Sequence, residues 1–281
     1  MLRKLIKHEF KATAKIMGLL YAAMILLSLL TRLSDNLPSD NAILEAVQRF
    51  LIATYVIALI GVGIVSTVIL LYRFYTNMLK DQGYLTHTLP VKMWQQLVAK
   101  VFTYTVWIIA TMAVLCVALA VYLVGKVVSF ADFGEALQAI AECYGKFPQL
   151  IPFTLVVLVL MLTQVIANIL SCSAAISLGQ IFKKHRILGA VVFYVAINYA
   201  TGILTSVVSM LMMPTIINMT DDLESKLTIA GETAVTASEN VSAVLGMFYR
   251  ICPYLFAVNL VLIAIYYIIT HFMLTKKLNL E

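Results

Sequence analysis

The chain has 281 residues, of which 62% are hydrophobic and only 12% charged, with a formal net charge of +6. Water-soluble domains carry about 25% charged residues, so no soluble globule fits this composition and lipid is the solvent for most of the surface. The basic excess is unevenly distributed along the chain, which makes it a topology signal and excludes a nucleic-acid footprint.

Residues 2–17 read as an amphipathic helix. Leu2, Leu5, Ile6, Phe10, Ile16 and Met17 share one face, and Arg3, Lys4, Lys7, Lys11 and Lys15 the other. Such a helix lies along a membrane interface, its cations among anionic head groups. Glu9 is the exception, because at 100° per residue it falls in the middle of the apolar face. An unpaired carboxylate there is costly, so Glu9 is expected to find a donor within the protein, with Arg73, Lys80 and the amides near Gly83 as candidates; the plainer alternative is that it snorkels into the head groups.

Charge-free apolar runs of roughly 18 or more residues mark membrane spans, and they are too long and too uniformly apolar for barrel strands. Six spans follow, at about 16–32, 50–72, 100–125, 151–178, 187–213 and 252–274. The first is short and relies on snorkelling of Lys15 and Arg32. Pro148 and Pro152 suit the start of the fourth, and Pro214 is read as the end of the fifth. The expected fold is therefore an all-α membrane protein with six transmembrane helices and an N-terminal amphipathic interfacial helix.

The segments between spans sort by charge. The N-terminus, 73–100, 183–186 and the C-terminus hold 14 cations against three acids, while the opposite set holds six cations against eleven acids. The positive-inside rule then places both termini in the cytoplasm of a multi-pass cell-membrane protein. Residues 126–146 and 214–250 become the longer outer segments, too short to bury cores of their own.

The cytoplasmic segment at 73–99 carries the most information. A helix running on from the second span is expected to end near Gly83, which can adopt the left-handed conformation, and to restart at Pro90. Between and just after them lie Tyr84, Leu85, Leu89, Met93 and Trp94. An apolar cluster on an aqueous face marks a docking surface, although an aromatic belt at head-group level also accounts for Trp94.

No phosphate-binding Gly-x-x-x-x-Gly-Lys-Ser/Thr loop, His-Glu-x-x-His or Gly-x-Ser-x-Gly motif occurs, so neither ATP binding by that loop nor hydrolytic chemistry is expected of this chain. Cys116, Cys143, Cys172 and Cys252 match no metal spacing; buried free thiols are one reading and a Cys143–Cys252 disulfide the other. The spans carry amides and hydroxyls where an ion-coupled carrier carries ionisable groups. Gln164, Asn168 and Asn198 are candidates for helix–helix hydrogen bonds or for a substrate pathway. Ser171, Ala175 and Gly179 repeat every four residues and offer a ridge for close helix approach.

With these residues in place, the chain resembles the membrane subunits of ATP-binding cassette exporters of the type-2 permease class, ABCG-like in architecture and common in Gram-positive bacteria. The resemblance rests on His8-Glu9-Phe10-Lys11 in the basic N-terminal helix and on Asp81-Gln-Gly-Tyr-Leu-Thr-His-Thr-Leu-Pro90-Val-Lys-Met-Trp94 after the second span. It implies a connecting helix over residues 2–15 that includes Glu9. It also implies a coupling helix docking a cytoplasmic ATPase through Asp81, Gly83, Tyr84, Leu85, His87, Leu89 and Pro90, with a smaller contact at 181–186. A second permease copy or a related permease would complete a path lined by the second and fifth spans, exporting a hydrophobic peptide, lipid or drug-like molecule. ATP and magnesium would belong to the partner, leaving this chain without catalytic residues, metal or bound cofactor. A non-transporting immunity or sensor subunit, or a membrane-embedded enzyme, remains as an alternative with the same lipid-facing surface.

Overall fold

The computed structural model describes residues 2–35, 37, 42–79, 92–124, 130–182, 185–232 and 237–276. These residues form seven helices: α1 (Leu2–Asp35), α2 (Ala42–Leu79), α3 (Met93–Leu123), α4 (Phe130–Lys146), α5 (Leu150–Gly179), α6 (Arg186–Glu232) and α7 (Ala237–Lys276). All but α4 are long and apolar enough to cross a membrane; five of them contain an expected span, and α3 ends at Leu123, short of the expected 125.

Length separates the spans from their extensions. A hydrocarbon core is about 30 Å thick, whereas the 34 residues of α1 extend about 51 Å at 1.5 Å per residue. The amphipathic stretch 2–15 is thus continuous with the first span and forms no separate element. At the other end of the chain, the expected loop at 214–250 is helical on both sides of 233–236. Helix α6 runs through Pro214 to Glu232, and α7 begins at Ala237. Proline removes one hydrogen bond and crowds the preceding turn, yet it is tolerated within apolar helices whose freed groups find other partners. Pro253 is likewise internal to α7.

Residues up to Leu137 and residues Gln138–Leu278 make two compact units, with the boundary inside α4. In the first, α1 packs along α3 and against α2. Met24, Tyr55, Val62 and Ala118 form a buried cluster flanked by Leu20, Leu27, Leu59 and Leu115. The α1–α3 seam keeps one register over its length. Glu9 meets Lys100, Tyr21 meets Trp107 and Thr111, and Arg32 meets the carbonyl of Val121, with offsets of 86–91 positions throughout. The two helices therefore run parallel, as first and third spans must if the chain crosses the bilayer at each one.

In the second unit α5 packs against both α6 and α7. After the buried Ile169 and Leu170, its buried side turns small: Ser171, Ser173, Ala174, Ala175, Ser177 and Gly179. The need for smallness is sharpest at the α5–α6 turn, where a Cβ added to Gly179 would lie 2.5 Å from the backbone nitrogen of Ala190. At the other end of α5, the Phe153 ring sits 5.6 Å from Phe248 of α7.

Hydroxyls can be buried in both units because their own helices satisfy them. Thr13, Ser28, Thr31, Thr103, Ser173, Ser177 and Thr270 each donate to a carbonyl three or four residues earlier. In lipid, where water cannot substitute, that local bond is what makes the residue tolerable.

Candidate functional site

The apolar face of the N-terminal helix is interrupted by a charge cluster. Glu9 lies on the side of α1 that faces α2 and α3, as its place on the wheel requires. Its carboxylate accepts from Lys100 Nζ at 2.6 Å and from Arg73 Nε at 3.2 Å, one cation on each oxygen. Arg73 also donates through Nη1 to the carbonyl of Ala12 at 3.3 Å, so it holds α1 at two points. The side chain of Lys100 is 4% exposed, that of Glu9 13% and that of Arg73 22%.

That gradient ranks the two pairs. Lys100 is enclosed and has lost its water, so Glu9 is the group that makes its charge tolerable; Arg73 retains some solvent and depends less on the pair. Glu9 itself precedes the stretch 16–32 assigned to the membrane. Burial pushes its carboxyl up, but attraction and hydrogen bonds from Lys100 and Arg73 outweigh that and hold it below its ordinary value.

The expected Arg73 partnership is present, and head-group snorkelling of Glu9 is not. Lys80 and Gly83 lie outside the described residues, as do Asp81, Tyr84, Leu85, His87, Leu89 and Pro90. Lys100 is the partner that the charge count missed, because there it served as one more cytoplasmic cation. The structure shows why it needs one: Gln96, Leu97, Ala99, Lys100, Thr103 and Tyr104 are all buried, a stripe at three- and four-residue spacing into which a lysine fits only with an anion. Tyr104, one turn beyond Lys100, is buried with no hydrogen-bond partner for its hydroxyl among the described residues.

The three span amides singled out as pathway candidates part company. Asn198 donates to the carbonyl of Tyr194 in its own helix at 2.8 Å, and Asn168 accepts from Cys172 Sγ at 3.8 Å. Gln164 lines a cleft of about 240 Å³ between α5, α6 and α7. Thr201, Thr205 and Ser209 of α6, and Arg250 and Asn259 of α7, share it. The hydroxyls of Thr205 and Ser209 and the guanidinium of Arg250 were not expected there, because the sequence shows the spacing of α6 but not which neighbour its hydroxyl side meets. All four cysteines are free, so Cys143 and Cys252 are not bridged. No three His, Cys, Asp or Glu side chains converge among the described residues.

No protein-family model, no curated protein and no solved structure matches this chain.

Proposed function

We propose that this chain is the membrane-spanning permease subunit of an ATP-binding cassette exporter, driven by ATP hydrolysed in a separate cytoplasmic subunit. The observation that carries the reading is the Glu9 cluster. Segment 80–91 connects the end of α2 to the start of α3, and Arg73 and Lys100 stand on those two helices just inside that connection. Both cations grip the same carboxylate of α1. A push on the connecting segment would therefore be passed to three helices at once, which is what a lever between an ATPase and a membrane domain requires.

Three further features support it. Six helices have membrane-spanning length and apolarity. The connecting segment carries the apolar residues Tyr84, Leu85 and Leu89 on a side assigned to water. The motif around Asp81–Pro90 resembles the coupling loop of type-2 permeases. In this reading a second permease copy or a relative completes the translocation path, and the polypeptide forms and breaks no bonds.

Purification in mild detergent tests the proposal. The wild-type chain should bring down a polypeptide with ATPase activity, and Leu89→Arg should reduce that yield severalfold with unchanged membrane insertion. A wild-type chain that recovers no ATPase, or a Leu89→Arg variant that recovers as much, would refute the coupling role and leave a non-transporting sensor or immunity subunit in its place.

A further inference from the structure

The cleft between α5, α6 and α7 is built from two unlike walls. On α7 the lining is mainly apolar, with Tyr254, Leu255, Val258 and Leu262, and Arg250 at one end. On α6 it carries hydroxyls at Thr201, Thr205, Ser209 and Thr215, with Val208 and Met212 beside them. Thr205 donates to the carbonyl of Thr201, and Ser209 to the carbonyl of Thr205. Their protons are thus spent inside the helix, and their oxygen lone pairs are what they can offer the cleft. Thr201 is already engaged with the hydroxyl of Tyr266, which anchors the deep end of the ladder.

Other groups in the cleft have no partner among the described residues. Gln164 and Asn259 line it, and neither side-chain amide makes a hydrogen bond among the described residues. Arg250 is exposed there with no acid bound to it among the described residues. Uncommitted amides in an apolar segment are costly unless something polar meets them. Packing alone gives no reason for two of them to face the same space as a guanidinium with no acid on it among the described residues.

The spacing identifies the kind of molecule that would meet them. Hydroxyls four residues apart on a helix repeat about every 6 Å. The N–H groups on one side of an extended peptide repeat about every 6.6–6.8 Å. A ladder of acceptors with that pitch is complementary to a row of peptide donors, whereas an acyl chain has no donor to give it. From Arg250 to Leu262 the cleft runs about 18 Å along the helix, the length of about five extended residues. Its volume falls just under the ~300–1,000 Å³ usual for drug-sized ligands, so an extended strand would lie with one edge in the cleft and the rest outside it, and a folded segment would not enter.

We infer that this cleft binds a short apolar peptide in extended form, its carboxylate on Arg250, its backbone N–H groups on Thr205 and Ser209, and its side chains against α7. Gln164 and Asn259, each with a donor and an acceptor, take the remaining backbone groups. The inference deepens the permease reading by naming a class of cargo, and rests on that reading for the cargo role; binding itself is a property of this chain alone.

The test uses the full chain in zwitterionic phospholipid discs and a fluorescein-labelled pentapeptide of alternating leucine and valine. One form of the peptide has a free carboxyl end and the other ends in an amide. Fluorescence anisotropy should show saturable binding of the acid, with the amide about tenfold weaker. Arg250→Gln should bring the acid down to the amide's affinity and leave the amide unchanged, while Arg250→Lys keeps most of the difference. Combined Thr205→Val and Ser209→Ala should weaken both peptides by the same factor.

Absence of saturable binding, or an acid-to-amide ratio unchanged by Arg250→Gln, would overturn the assignment. Saturable binding of oleate that the peptides fail to displace would make the cleft a lipid site instead. Because no ATPase enters these measurements, a failure here leaves the co-purification result standing, and the reverse also holds.

Discussion

Lys100 Nζ lies 2.6 Å from the Glu9 carboxylate although 91 positions separate the two residues. It is the more enclosed of the two cations on that carboxylate. The stability of the first unit is therefore expected to respond to Glu9 far more than to the other charges of the N-terminal helix.

Glu9→Ala strands a buried lysine and should cost about 3–5 kcal/mol. Lys7→Ala and Lys11→Ala, on the opposite face, should cost under about 0.5 kcal/mol. Thermal unfolding of the purified chain in detergent reads the order directly. Replacing both members, Glu9→Leu with Lys100→Met, should recover most of the loss, because an apolar pair of similar size needs no counter-charge. A double variant as unstable as Glu9→Ala would mean that the pair's specific geometry, and not the stranded charge, sets the cost.

The same carboxyl sets a pH signature. With its folded-state value held below the ordinary 4.5, the stabilisation is complete at neutral pH. It starts to fall as pH drops to about 4.5, the value for the unfolded chain, and is lost once pH passes below the folded value. The difference in melting temperature between wild type and Glu9→Gln should be constant from pH 7 to 5.5 and shrink below 4.5.

The Tyr21 hydroxyl crosses the α1–α3 seam, donating to the Trp107 carbonyl at 3.1 Å and lying 2.7 Å from Thr111 Oγ1, a pair in which either hydroxyl can donate. Single interhelical bonds in apolar surroundings contribute about 0.6–1.7 kcal/mol, so Tyr21→Phe should lower stability by that amount. A larger loss in a Tyr21→Phe, Arg32→Ala pair than the sum of the singles would show that the seam acts as one unit.

Two glycines in the second unit should behave oppositely. Gly179→Ala places a Cβ 2.5 Å from Ala190 nitrogen and should cost about 1–3 kcal/mol through overpacking. Gly202, in the middle of α6, has nothing within 4 Å of an added Cβ, so Gly202→Ala should be neutral or gain up to about 1 kcal/mol of helix propensity. Melting temperatures of the two variants check the contrast.

Orientation is tested by single cysteines at Thr228 and Lys183 in a background lacking the native four. An impermeant maleimide should label the first on intact cells and the second only after permeabilisation. The reverse pattern would invert the topology.

The membrane-spanning helices were readable because a charge-free run leaves little freedom in lipid, where only a helix satisfies its own backbone. Their ends were less readable. Pro214 reads as a stop in the sequence, but α6 continues to Glu232, since in an apolar or interfacial setting one lost hydrogen bond does not outweigh the turns on either side. Glu9 announced itself by sitting on the wrong face, and Arg73 could be named because it ends a span. Lys100 could not be found by counting charges per segment. Burial of a cation depends on which helix lies beside it, and that neighbour, α1, is almost a third of the chain away. For the same reason Gln164 was visible as a polar residue in a span, whereas its grouping with Arg250, Thr205 and Asn259 depended on how three helices meet.

The parallel pairing of α1 with α3 also dictates an order of events during synthesis. Arg73 is made 64 residues after Glu9, and Lys100 a further stretch later, 91 residues after it. At ~5–20 residues per second the ribosome needs about 5–18 s to deliver the second cation. The nascent first helix therefore waits in the membrane with its acid unmatched, then matched by arginine alone, and becomes locked only when the third helix arrives. A chain stalled between those points presents an ionised, half-satisfied side chain at the bilayer edge, a feature by which quality-control proteases could distinguish an unfinished protein from a completed one.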